Sequence, residues 1–236
     1  MTQLLEIANL KKTFKMHHFD KEIMGCSNVS FTLNQGEFIG ITGKSGAGKS
    51  TILRCIYRTY VPMGGNILYS SDQYGKIDLA QAQEREMLAI RRNEIGYVSQ
   101  FLRVMPRITA LEVVQNALVE MGYPKEKAES EAKNMLSHFQ LAKSLWNAYP
   151  QTFSGGEKLR LNLAQAMVKK PKLLLLDEPT ASLDDVSKQS VKEMIKQLKE
   201  EGTSMLGIFH DLTFMESVVD QHYNMKEGMM QEGVKA

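Results

Sequence analysis

Gly43-Lys44-Ser45-Gly46-Ala47-Gly48-Lys49-Ser50, set between the apolar run Phe38 to Ile41 and a helical pattern beginning near Lys49, constrains this chain more than any other feature. Glycines at this spacing let backbone N–H groups approach and wrap phosphate oxygens at a helix N-terminus, where the helix dipole also favours negative charge. The strand before the loop and the helix after it supply the context that the motif requires. In this setting Lys49 places a positive charge on the β and γ phosphates and Ser50 offers a hydroxyl to magnesium. Thr51 follows directly and is counted with the phosphate-binding residues. Strand, loop and helix, followed by a return strand at Asn66 to Tyr69, are the grammar of a parallel α/β sheet.

A second segment answers the first. Leu173-Leu174-Leu175-Leu176-Asp177-Glu178 is a continuously apolar strand that ends in two acids. The unbroken apolar run predicts a central strand covered on both faces, and its carboxyl end is where parallel sheets present ligands. Adjacent residues there point in different directions. Asp177 is thus assigned to the magnesium shell, and Glu178 to orienting or deprotonating the water that attacks the γ-phosphate. ATP and Mg2+ are the expected ligands, and ATP hydrolysis is the expected reaction.

The rest of the chain fits one two-lobed unit. Its 236 residues suit a single large domain, and 43% apolar with 24% charged residues is ordinary globular usage. The first forty residues alternate short β-like runs with polar turns, predicting an antiparallel β lobe. Two helical patterns, from Ala110 to Met121 and from Ala128 to Phe139, predict a helical lobe over about 101–160. Residues 1–100 and 161–236 are read as the nucleotide-binding core with its β lobe; the segment Ser70 to Asn93 is given no function. The net charge of +2, with basic and acidic residues interleaved, gives no nucleic-acid footprint. No apolar stretch reaches the ~20 residues needed to span a bilayer, and no signal peptide opens the chain, so a cytoplasmic protein is expected. Cys26 and Cys55 are read as buried small hydrophobes.

Ser154-Gly155-Gly156-Glu157 precedes a helix and forms a second anion-binding helix terminus. In isolation a merely structural cap is the preferred reading. Together with the phosphate loop it raises a second possibility, a site that closes over nucleotide held by another subunit. His210 follows the predicted strand Ser204 to Phe209.

In this order the motifs resemble those of the ATP-binding-cassette (ABC) ATPases, over nearly the whole chain. The resemblance implies a P-loop NTPase fold of the ABC type, with a mostly parallel central sheet, an antiparallel β lobe and an α-helical lobe. It further implies that Gln100, after the strand Ile95 to Val98, contacts magnesium and the attacking water. By the same likeness Ser154, Gly155, Gly156 and Glu157 meet a partner's γ-phosphate. Ser182-Leu183-Asp184 would link two sites across a dimer, and His210 would sense the γ-phosphate. Phe14 stands where the family stacks an aromatic residue, commonly tyrosine, on adenine. A second cassette, as homodimer or heterodimer, is the implied partner, paired when ATP is bound.

Residues 100–107, 178–184 and 207–211 also look like the L-type ATP-binding subunit of the bacterial phosphonate carbon–phosphorus lyase system. That likeness implies a soluble lyase complex as partner in place of a membrane permease. The alternative is the nucleotide-binding subunit of a transporter of the lipoprotein-release or efflux type, peripheral to a membrane. A DNA-repair or translation cassette is disfavoured, because no coiled-coil insertion, zinc-ligand cluster or second cassette is present.

Overall fold

The computed structural model describes residues 2–16, 21–99, 102, 106–181, 183–231 and 234–235. Two long strands, β1 (Gln3–Met16) and β2 (Lys21–Asn34), open it as an antiparallel pair. Then come β3 (Phe38–Gly43), α1 (Lys49–Ile56), β4 (Gly64–Ser71), β5 (Gly75–Asp78), α2 (Glu84–Asn93) and β6 (Ile95–Val98). α3 (Ala110–Val119) and α4 (Lys125–His138) pack on each other and on α5 (Gly155–Met167). The chain ends with β7 (Leu173–Asp177), α6 (Asp185–Glu200), β8 (Ser204–Ile208), α7 (Leu212–Glu216), β9 (Gln221–Lys226), β10 (Met229–Met230) and β11 (Val234–Lys235).

Two sheets result. One is antiparallel, in the order β2-β1-β4-β5; the other runs β10-β9-β3-β8-β7-β6, with β11 also on β9. From β9 to β6 every neighbouring pair in the second sheet is parallel. Residues that alternate along its strands enter two separate cores. Leu173, Leu175, Leu206, Ile208, Ile39 and Ile41 face one, with α1 and the antiparallel sheet; Leu174, Leu176, Met205 and Phe38 face the other, with α3 to α6. The four leucines of β7 are therefore all buried, two on each side. At about 1.5–3 kcal/mol for each fully buried leucine, this one strand contributes on a scale comparable to the net stability of a domain.

The parallel arrangement brings the carboxyl ends of β3, β6, β7 and β8 to one edge. Asp177 lies opposite Ile208, and Ile41 lies opposite Ile208 from the other side. The next residues of each strand, Gly43, Glu178 and His210 among them, thus emerge together, although they are far apart in sequence. Cys26 and Cys55 are fully buried in the core beneath α1, and burial pushes their thiols up to about 11 and about 12. Among the described residues no helix is long and apolar enough to cross a membrane.

Candidate functional site

The loop between β3 and α1 takes its shape from three glycines in the left-handed region, Gly43 (φ 138°), Gly46 (φ 78°) and Gly48 (φ 97°). Two of them are also sites of close backbone approach. A Cβ on Gly43 would lie 2.3 Å from the Met225 carbonyl oxygen, and one on Gly48 would lie 1.7 Å from that of Gly25. Gly46 meets nothing and forms the open crest. The turn after β9 grips the loop from outside: Gly228 N–H donates to the Ala47 carbonyl at 3.2 Å, and the Gly228 carbonyl accepts from Ser27 N–H at 2.7 Å. α1 starts at Gly48 without a side-chain cap, which leaves its first amides available to an anion.

Lys49 is only 4% exposed, and its Nζ donates to the carbonyls of Gly43 (2.8 Å) and Lys44 (3.1 Å). Burial holds its pKa below the ordinary lysine value, opposed by the negative charge of Glu178 and Asp177. Ser50 Oγ donates to Asp177 Oδ1 at 2.9 Å, and the Tyr97 hydroxyl donates to Asp177 Oδ2 at 2.7 Å. Glu178 turns the other way. With φ at 56° it sits in the left-handed region, an uncommon place for a residue with a side chain. Its Oε1 lies 2.6 Å from His210 Nε2.

A cavity of about 250 Å3 runs along this edge, lined by Phe14, Met24, Gly46, Lys49, Ser50 and Glu178, among others. Phe14, half-buried on β1, meets Tyr60 edge-on with ring centroids 5.0 Å apart. Ser50 and Asp177 offer oxygen donors, the chemistry that suits Mg2+. Among the described residues no group of three or more His, Cys, Asp or Glu side chains gathers to hold a metal. A hard cation here would complete its shell with phosphate and water oxygens, as Mg2+ commonly does.

Ser154 and its neighbours lie elsewhere. Ser154 caps α5, with its Oγ accepting from Glu157 N–H at 3.3 Å while Glu157 Oε2 accepts from Ser154 N–H at 2.7 Å. This reciprocal capping box leaves the Gly155 and Gly156 amides without a partner among the described residues. A Cβ on Gly156 would approach Ser187 Oγ at 3.1 Å, so the start of α5 sits against the start of α6. Asp184 caps α6 by accepting from Ser187 N–H at 2.7 Å, a bond that lowers its pKa. Among the described residues no hydrogen bond joins Ser154, Gly155, Gly156, Glu157 or Asp184 to the phosphate loop. Gln100 and Ser182 lie outside the described residues, as do Phe101 and residues 103–105.

Sequence reasoning missed Tyr97, Tyr60, Arg54 and the Glu227-Gly228 turn. Tyr97 had a usable signal, a polar-tipped aromatic on an otherwise apolar strand just before Gln100. The turn had none, because Gln221 to Lys226 is too polar to read as a strand beside β3.

A protein-family model described as ABC transporter matches residues 26–181. The chain belongs to this ABC transporter family. Across 98% of its length it is 34% identical to the lipoprotein-releasing system ATP-binding protein LolD of Shewanella denitrificans, of which 96% is covered. It is 32% identical to the putative hemin import ATP-binding protein HrtA of Staphylococcus haemolyticus, over 96% of this chain and 99% of that one. Among solved structures, a dimeric post-hydrolysis state of the ATP-binding cassette MJ0796 bound to ADP and Pi superposes with a TM-score of 0.88 at 29% identity, covering 98% of each chain. The ABC ATPase fold is thereby shown. The phosphonate-lyase likeness is not supported, since these relatives are transport subunits and the transporter alternative fits them better. Of the segments that suggested it, 178–184 and 207–211 coincide with the ATP motifs and say little about the partner, and most of 100–107 lies outside the described residues.

Proposed function

We propose that this protein is the ATP-hydrolysing subunit of a membrane transporter, acting as a pair of cassettes against a permease. The observation that carries the reading is the convergence of Lys49, Ser50, Glu178 and Phe14 on one cavity, with Asp177 hydrogen-bonded to Ser50, in a chain that aligns end to end with transporter subunits. Phe14 stacks on the adenine base. The α1 amides and Lys49 take the phosphates, Lys49 exchanging its two carbonyl partners for phosphate oxygens. Ser50 and Asp177 hold Mg2+, which when bound neutralises charge on the β and γ phosphates. Glu178, steadied by His210, accepts the proton of the attacking water as its oxygen bonds to the γ-phosphorus. The bond to the β–γ bridging oxygen breaks, and ADP and phosphate leave. Gln100, Ser182 and Asp184 keep the contacts that the family resemblance implies.

The Gly155 and Gly156 amides make no hydrogen bond to this cavity among the described residues, which leaves them to meet phosphate on a second cassette. The MJ0796 relative was solved as a dimer, which supports that pairing. Relatives named for lipoprotein release, hemin import and arginine transport share 32–34% identity with this chain. Such a spread of cargo at equal similarity supports the reading that the permease chooses the cargo. The lipoprotein-release relatives recur, and an export-type permease is the partner we favour. The test is purification of the tagged chain from its own cell in mild detergent. It is expected to bring down a polytopic membrane protein together with ATPase activity. Recovery with a soluble lyase complex and no membrane protein would overturn the transporter reading.

A further inference from the structure

Asp177 is 6% exposed and both of its carboxylate oxygens are engaged, Oδ1 by Ser50 and Oδ2 by the Tyr97 hydroxyl. The two donors are not equivalent. Ser50 is itself a candidate metal ligand and must turn its oxygen lone pair to a cation. Tyr97 only donates, so it is the contact that persists when a metal is held. A carboxylate fixed at one oxygen keeps its plane and presents the other oxygen in a single direction.

Tyr97 is itself braced on both sides. Its ring packs at 5.1 Å on Tyr57, over which Arg91 lies at 5.1 Å, and Arg91 donates to the Tyr57 and Arg58 carbonyls at 2.7 Å each. On the other side is Arg54, which donates to the Tyr60 hydroxyl at 2.9 Å; Tyr60 in turn backs Phe14. Burial and the neighbouring Asp177 push the Tyr97 phenol well above its ordinary pKa, with Arg54 opposing, so it remains a donor at any physiological pH. Phe14, Tyr60 and Arg54 thus form one linked set beside the base, Tyr97 and Asp177 another at the metal carboxylate, and Arg54 acts on the Tyr97 phenol between them.

We propose that Tyr97 is a positioning residue for the metal site, its hydroxyl setting the orientation of Asp177, and that Arg54 ties this setting to the aromatic platform beneath the base. The inference rests on the ATPase reading and adds to it a residue that never touches substrate. The test uses Mn2+ as a spectroscopic stand-in for Mg2+, titrated by electron paramagnetic resonance into the full chain saturated with ADP. Tyr97→Phe keeps the ring and its packing on Tyr57 while removing the hydroxyl. It is expected to weaken Mn2+ binding by roughly 10- to 100-fold, the range for loss of an outer-shell partner. Affinity for ADP in excess chelator should stay at the wild-type value. Arg54→Met leaves Tyr97 and Asp177 intact and should weaken Mn2+ binding in the same direction by a smaller factor; it also keeps the proposal testable if Tyr97→Phe does not fold. Wild-type Mn2+ affinity in Tyr97→Phe would overturn the positioning role, and wild-type affinity in Arg54→Met would overturn the tie to the platform. Failure of the unmodified chain to bind ADP at all would instead bring down the ATPase reading.

Discussion

The phosphate loop and the start of α5 are both helix N-termini preceded by glycine or serine, yet they are finished to different degrees. At the phosphate loop each of these groups is partnered within the chain: Lys49 on two carbonyls, Ser50 and Tyr97 on Asp177, Glu178 on His210. At α5 the capping box satisfies Ser154 and Glu157 from within, and Ser154 and Gly155 stand exposed, the Gly155 amide unused among the described residues. Apolar side chains are open beside both: Ile23 and Met24 at the phosphate-loop cavity are 46% and 52% exposed. Val186, just past Asp184 at the start of α6, is 82% exposed, and Leu212 is 53% exposed. On the proposed reading, one chain holds one half of a nucleotide site and offers the start of α5 to a neighbour.

The sharpest test of the finished half is Glu178→Gln. It keeps the shape and removes the base, so hydrolysis should fall by roughly 10²- to 10⁴-fold while ATP remains bound. Turnover at the normal rate, followed by phosphate release, would show that another group takes the proton. Lys49→Ala comes next. Losing a charge-assisted contact of about 1.5–3 kcal/mol corresponds to roughly 10- to 100-fold weaker nucleotide binding. Calorimetry with ATP reads this directly, and unchanged affinity would remove the loop from the phosphate site.

How much of each half was legible follows from the same contrast. The finished half is built from local signals: glycines that only a tight anion loop needs, and four leucines whose alternate burial in two cores requires a central strand. β1 and β2 were visible only as short fragments, because their exposed faces carry lysines and threonines that dilute the alternation, and pairing alone extends them to 14 residues each. The β9 to β10 turn was hidden for a related reason. Its role depends on Gly228 meeting Ala47 and Ser27, contacts between distant residues that no local pattern encodes. Tyr97 lies between these extremes, its strand readable and its partner at Asp177 not. The partner surface was the least legible, since the motif after Glu178 reports on ATP and the stretch after Gln100, read as pointing to a soluble lyase complex, belongs to a chain whose relatives are transport subunits.

The unfinished half yields the smallest effect and the most discriminating one. Ser154→Ala removes the cap of α5, which costs about 1 kcal/mol and lowers the melting temperature by roughly 2–4 °C in a chain of this size. Since Ser154 makes no hydrogen bond to the phosphate loop, nucleotide affinity of the single chain should not move. Ser154→Asp separates the two roles of this residue. Aspartate caps a helix as well as serine does, so the melting temperature should return to the wild-type value. Its carboxylate, however, would face the γ-phosphate of a partner, and like charges repel across such a contact. Hydrolysis by the pair should therefore stay impaired in Ser154→Asp despite restored stability and intact single-chain binding. If hydrolysis recovers along with stability, Ser154 is only a cap, and the division of the site between two chains must rest on other residues.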